Sequence, residues 1–213
     1  SRIPDVIDCW YDSGAASFAQ YHYPFENKEI FNKSFPYDFI AEAIDQTRGW
    51  FYTLHVLGTI LFGKNAYKNV VCAGHVVDEN GEKMSKTKGN IINPWEMFNT
   101  VGVDATRLQF CVNEPGDQKR FSLNSVNQKV MPFLNILLNC YQYSNGFKST
   151  NKPKLQIEDY WIISKTNNLI NNITEELEKH NYHKCLDLFI EFVNEDLSRT
   201  YIKLIRDRED DKN

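Results

Sequence analysis

The chain has 213 residues, with 24 Lys and Arg against 28 Asp and Glu, giving a formal charge of −4. A hydrophobic content of 42% and a charged content of 24% are globular values, which exclude disordered, collagen-like and coiled-coil classes. The mild acidity argues against a whole-surface nucleic-acid binder, although a local basic patch remains compatible with it.

The opening residues Ser1-Arg2-Ile3-Pro4-Asp5 include neither an initiator Met nor a signal-peptide apolar segment, so the chain reads as a piece of something longer. From Gln46 to Leu61 the sequence is largely apolar and long enough for a buried helix. Val70-Val71-Cys72-Ala73 fits a short buried strand. After Val76-Val77, the tetrapeptide Asp78-Glu79-Asn80-Gly81 predicts the positive-φ turn of a tight hairpin. Asn93-Pro94 opens another helix, with Pro in the first turn, where its missing N–H is harmless. Asp104 reads as the N-cap of a helix over 105–112.

Beyond Ser125 the period becomes helical. Val126, Val130, Phe133, Leu134, Leu137, Leu138 and Tyr141 form one apolar stripe. Trp161, Ile162, Leu169, Ile173 and Leu177 form a second, and Leu186, Phe189, Val193, Leu197, Tyr201 and Leu204 a third. Three such stripes predict an antiparallel bundle. All ten Gly lie at or before Gly146 and the last Pro is Pro153, so the final sixty residues hold no breaker. A polar linker is expected at about 148–156, around Pro153.

Five widely spaced Cys (9, 72, 111, 140 and 185) support neither a disulfide framework nor a Cys-rich metal site; reduced, cytosolic thiols are the ordinary reading. No apolar run approaches the ~18 residues of a membrane span. His180 and His183 are three apart on one expected helix side, without a carboxylate or Cys to complete a metal set.

The sharpest chemistry lies in Glu82-Lys83-Met84-Ser85-Lys86-Thr87-Lys88-Gly89-Asn90. Lys83 and Lys86 can be aimed at one anion, and lysines can neutralise the charge that develops on departing pyrophosphate. Composition alone describes a solvated Lys-rich loop, and a mobile one, because its lysines repel and Gly89 frees the backbone. The order of the residues says more.

Lys83-Met84-Ser85-Lys86-Thr87 resembles the Lys-Met-Ser-Lys-Ser signature of class I aminoacyl-tRNA synthetases, with Thr for the last Ser. Three further blocks occur in the family's order. Asp5-Val-Ile-Asp-Cys-Trp10-Tyr-Asp12-Ser13-Gly14 is one, and Glu42-Ala-Ile-Asp45-Gln46-Thr-Arg48-Gly49-Trp50-Phe51 is another. Gly102-Val-Asp104-Ala-Thr-Arg107 is the third. Within the class, Asp45-Gln46-x-Arg48-Gly49-Trp50 is similar to the isoleucyl branch, since the valyl, leucyl and methionyl relatives differ here.

The resemblance implies an α/β fold, the C-terminal half of a Rossmann-like class I catalytic domain over 1–122. An all-α region would follow over 123–213, comprising a connecting helix and a helical anticodon-binding domain. It implies that Lys83 and Lys86 are catalytic, with Lys86 the more direct, and that Lys83, Ser85, Lys86 and Gly74 bind ATP. Glu42, Asp45 and Gln46 would hold the aminoacyl-adenylate, and Trp10 and Trp50 would wall the isoleucine side chain. Arg48 would brace the fold. Ala43 stands where the family has Gly.

ATP with Mg²⁺, isoleucine and tRNA(Ile) are the implied partners of a parent ligase, a cytoplasmic monomer with no membrane and no metal held by this segment. The upstream His-Ile-Gly-His signature does not occur, so the segment alone is expected to be inactive. Two alternatives stand beside this reading. One is a valyl-type synthetase; the other is a non-catalytic RNA-binding or scaffold module. For the second, Lys203, Arg206 and Arg208 are opposed by Glu195, Asp196, Asp207, Glu209 and Asp210, a mixture closer to a solvated face than to a phosphate track.

Overall fold

The structure, a computed structural model, describes residues 3–6, 8–146 and 154–211. Most of the expected linker at 148–156 lies outside the described residues. The chain forms two compact units, residues 1–75 and 76–213.

In the first unit, Asp8 caps helix α1 (Cys9–Ala19) by accepting a hydrogen bond from the Trp10 N–H. Helix α2 (Lys28–Ser34) leads into strand β1 (Tyr37–Ala43), a 3₁₀ turn (Ile44–Arg48) and helix α3 (Trp50–Phe62). Strand β2 (Tyr67–Ala73) then returns parallel to β1, pairing Glu42 with Cys72 and Ala43 with Ala73. α3 is thus the crossover of a β–α–β unit. It buries Phe51, Leu54, Leu57 and Gly58, residues that recur on one helical face. The core gathers Phe31, Phe35, Ile40, Phe51, Leu54 and Ala66, with the Phe31 and Phe35 rings stacked at 5.0 Å.

Two expectations change here. The helix read from Gln46 breaks at Gly49 into a 3₁₀ turn and α3. The strand at Val70–Ala73 is longer than expected, and its residues are half-buried or exposed, because among the described residues its sheet has two strands and each is an edge.

The second unit opens with β3 (Val76–Val77), which pairs parallel with β4 (Lys119–Arg120). Asn93 caps helix α4 (Pro94–Val101) through the Trp95 N–H, as the Asn-Pro pair predicts. Helix α5 (Val103–Cys111) starts two residues earlier than read: Gly102 is its N-cap and Asp104 lies inside the first turn. Ser122 and Ser125 cap one another's backbone at helix α6 (Leu123–Lys129). Met97, Ala105, Phe121, Val126 and Val130 form the core, with Met84 packed against it.

Helices α7 (Met131–Asn145), α8 (Ile157–Glu178) and α9 (Tyr182–Glu191) follow, and α9 runs on through a π-helical stretch (Phe192–Ile202) into α10 (Lys203–Ile205) and a closing 3₁₀ turn (Arg206–Asp211). The π-helical stretch packs on both α7 and α8 and buries Val193. The predicted stripes bury only in part. Val126, Val130, Phe133, Ile162 and Val193 are interior, while Leu138, Tyr141, Leu177 and Leu204 are exposed. His180 lies in the turn between α8 and α9 with φ of 58°, not on a shared helix side with His183.

A polar brace ties α8 to the chain's last turns. Asp159, 5% exposed, accepts from the Gln156 N–H (2.7 Å), the Tyr201 hydroxyl (2.8 Å) and Arg208 (2.9 and 3.0 Å). Arg208 also pairs with Glu158. Burial pushes the Asp159 carboxyl up, but those donors outweigh it and hold it below the usual range. Burial and the Asp159 carboxylate push the Tyr201 hydroxyl up to about 12.

Candidate active site

Trp10, Gln46 and Trp50 meet at Gly49. Gln46 Oε1 accepts the Trp50 N–H at 2.9 Å, taking up one of the unpaired donors at the N-terminus of α3. The same amide donates to Asp45 at 2.9 Å. The Trp50 indole N–H donates to the Ser13 carbonyl at 3.0 Å, which fixes the ring against α1. A Cβ on Gly49 would stand 2.7 Å from Gln46 Oε1 and 3.3 Å from the Trp10 ring. Glycine is therefore what lets the indole and the capping amide share this spot.

Both indoles are half-buried, whereas Glu42 and Asp45 are exposed. Glu42 sits near the carboxyl end of β1, opposite Cys72, and Gly74 follows the neighbouring strand β2. Ligands of open parallel sheets bind at such strand ends. Two aromatic walls can enclose an aliphatic group, and two solvated carboxylates can receive an ammonium group. The Arg48 side chain is exposed and makes no hydrogen bond or ion pair among the described residues, so the bracing role read for it is not seen. Ala43, in place of the family's Gly, sits half-buried in the sheet.

In the second unit, Asp78 and Glu82 close the turn that carries the lysine loop, with the Asp78 N–H donating to the Glu82 carbonyl at 2.9 Å. Only Gly81 takes positive φ (84°) there; Asn80 does not. The tight two-residue turn expected at Asn80-Gly81 is therefore a longer loop with one left-handed glycine, joined by a single bridge between Val77 and Lys83.

The three lysines differ. Lys88 pairs with Glu82 at 2.8 Å, which holds its ammonium above the usual range. Lys83 and Lys86 are exposed, and among the described residues neither ammonium has a partner. Ser85 is half-buried; its hydroxyl accepts the Lys88 N–H at 3.2 Å. Asp78 and Asn90, which the sequence reading did not single out, hold this loop. Their side chains are joined at 2.8 Å, and Asn90 accepts the Ser85 N–H at 2.8 Å. That Asn90 bond, the Glu82 and Asn80 amides and the nearby Lys88 hold the Asp78 carboxyl below its usual range.

Residues 1–122 match the family described as tRNA synthetases class I (I, L, M and V). The chain belongs to the class I tRNA synthetases. Residues 159–213 match a second family, the anticodon-binding domain of tRNA ligase. Among curated proteins the chain is 43% identical to the isoleucine--tRNA ligase of Thermus thermophilus, over 97% of this chain and 21% of that protein. It is also 43% identical to that of Picrophilus torridus, over 95% of this chain and 20% of that one.

The synthetase segment thus spans about a fifth of the length of the curated relatives it matches. Its fold is similar to Mycobacterium tuberculosis methionyl-tRNA synthetase in complex with methionyl-adenylate, with a TM-score of 0.79 at 20% identity, covering 96% of this chain and 41% of that one. The Agrobacterium radiobacter K84 LeuRS in a ternary complex with tRNA and LeuAMS gives a TM-score of 0.72 at 16% identity, covering 98% and 28%. These likenesses bear out the α/β class with a following helical region. Among the described residues no group of three or more His, Cys, Asp or Glu is placed to hold a metal ion, and no helix is long and apolar enough to cross a membrane.

Proposed function

We propose that the chain is part of an isoleucine--tRNA ligase that activates isoleucine with ATP as the aminoacyl-adenylate and transfers it to tRNA(Ile). The observation that carries this reading is the pair of unpartnered ammonium groups, Lys83 and Lys86, in a loop of the family's signature order. Positive charge left uncompensated by the protein is available to the phosphates of ATP and to the charge that grows as pyrophosphate leaves. Ser85 and Gly74 complete the nucleotide contacts in this reading. Trp10 and Trp50 enclose the branched side chain of isoleucine, Glu42 receives its ammonium group, and Asp45 and Gln46 line the same adenylate site.

Mg²⁺ would arrive with the nucleotide rather than on ligands of this segment. Residues 1–122 serve activation, and 123–213 comprise the connecting helix and the start of the helical anticodon-binding region. The working enzyme is a cytoplasmic monomer. The 213-residue segment by itself does not activate isoleucine.

The test is amino-acid-dependent ATP–pyrophosphate exchange by the full-length protein with isoleucine and valine in parallel. Exchange is expected with isoleucine at a kcat/KM above that for valine by roughly the 10²-fold that one methylene allows such a pocket, for which the handling of Ile and Val by this class of enzyme is itself the standard illustration. Preference for valine would replace this reading with the valyl-type one, and exchange with neither would favour a non-catalytic module.

A further inference from the structure

Asp78 and Asn90 lie twelve residues apart in sequence and close the lysine loop with one directional polar chain. Asp78 Oδ1 accepts from the backbone N–H groups of Asn80 (3.0 Å) and Glu82 (2.8 Å), and Oδ2 accepts from Asn90 Nδ2 (2.8 Å). Asn90 Oδ1 accepts the Ser85 N–H (2.8 Å), and Nδ2 also reaches the Lys83 carbonyl (3.4 Å). An ionised carboxylate can only accept hydrogen bonds. Asp78 therefore decides which end of the Asn90 amide faces it, and so turns the amide oxygen toward Ser85.

We propose that Asp78 and Asn90 are positioning residues for nucleotide activation: Asp78 orients the Asn90 amide, and Asn90 fixes the Ser85 backbone so that the flanking Lys83 and Lys86 meet the phosphates of ATP. This rests on the reading of the loop as the phosphate-binding element of an isoleucine-activating enzyme. Neither lysine is held by a side-chain partner, so the backbone on which it stands sets its reach. A misplacement of about 1 Å costs on the order of a hundredfold in rate.

Directionality makes the proposal testable by a swap. Asp78→Asn sets one amide NH₂ against another; turning Asn90 to relieve this would set its NH₂ against the Ser85 N–H. Asn90→Asp sets two carboxylates together. The double variant Asp78→Asn/Asn90→Asp reverses donor and acceptor between the two side chains, keeps an acceptor toward Asn80, Glu82 and Ser85, and gives up only the long bond to the Lys83 carbonyl.

In the full-length protein, two readouts are followed in all four forms: hydrogen exchange of the Ser85 amide, and kcat and KM of isoleucine-dependent pyrophosphate exchange. Each single variant is expected to speed Ser85 exchange at least about tenfold and to lower kcat by about ten- to a hundredfold, with KM for isoleucine unchanged. The double variant should recover most of both losses. Additive losses in the double variant, or single variants that leave Ser85 exchange unchanged, would overturn the polar chain. Recovery of Ser85 protection without recovery of kcat would overturn the positioning role. Wild-type protein lacking isoleucine-dependent exchange would instead overturn the functional reading, and Ser85 exchange in the same four proteins would then decide the chain by itself.

Discussion

Trp10, Gln46 and Trp50 are held by close fit against Gly49 and by the N-terminus of α3, whereas Lys83, Ser85 and Lys86 stand on a loop tied by side-chain hydrogen bonds rooted in Asp78. The aromatic group has an apolar core beneath it, with Leu54 wholly buried one helical turn on. The lysine loop has Met84 and little other apolar matter, so its shape depends on polar groups that water can also satisfy. In the proposed function, closely packed indoles would suit selection of a rigid side chain. In the same reading, a loop with a low cost of opening would suit the entry of a nucleotide and the release of pyrophosphate.

Four substitutions probe this contrast. The largest effect is expected from Lys86→Ala in the full-length protein. Removing one well-placed electrostatic stabiliser raises the activation barrier by about 2–4 kcal/mol, read as a fall in pyrophosphate-exchange kcat with KM for isoleucine little changed.

Next comes Asp159→Ala, a test of a polar network whose role is structural. Arg208 and Tyr201 would lose their shared acceptor, at a cost of roughly 2–3 kcal/mol in urea unfolding. Because the native Asp159 carboxyl lies below its unfolded value, its contribution is fully present above about pH 4 and is lost as pH falls through the depressed native value. Acid unfolding of the variant should therefore show less dependence on pH below about 4. An unchanged profile would show that the brace does not stabilise the native state.

Gly49→Ala should cost about 1–3 kcal/mol in stability, because Trp10 and Gln46 must move from where the new methyl would sit. It should also raise KM for isoleucine more than it lowers kcat, and an unchanged KM would separate the indoles from substrate. Lys88→Ala should change the activation barrier by less than about 1 kcal/mol, since its ammonium is already spent on an exposed pair with Glu82. Damage equal to that of Lys86→Ala would show that the loop uses all three lysines alike.

These two constructions also explain what could be read in advance. Asn93-Pro94 and the helical stripes were legible because capping and 3.6-residue periodicity are local. β1 was not, since Ala41, Glu42 and Ala43 are poor strand formers and only pairing with β2 makes the segment extended. The break at Gly49 was hidden because an apolar run does not show that an indole from α1 lies against the backbone there. The order of residues singled out Lys83 and Lys86, of which Lys83 stands in the bridge to Val77 and Lys86 in the turn that follows, and mutual repulsion suggested a loose loop. Two ties within the loop were not legible: Lys88 finds Glu82, and Asp78 finds Asn90 twelve residues on. Neither partner choice has a sequence period.

The difference between the two regions is tested by comparing their amide hydrogen exchange as acid titrates Asp78. Its carboxyl is held below the usual range by Asn90 and by the Glu82 and Asn80 amides, so its stabilising contacts are present above about pH 4 and are lost as pH falls through that depressed value. Protection factors, corrected for intrinsic exchange, would be followed from pH 7 down to about 3 for Asn80, Glu82 and Ser85 and for the α3 amides around Leu54. The loop amides should lose protection first while α3 keeps its own. Loop protection that survives Asp78 protonation, or loss in both regions together, would contradict this.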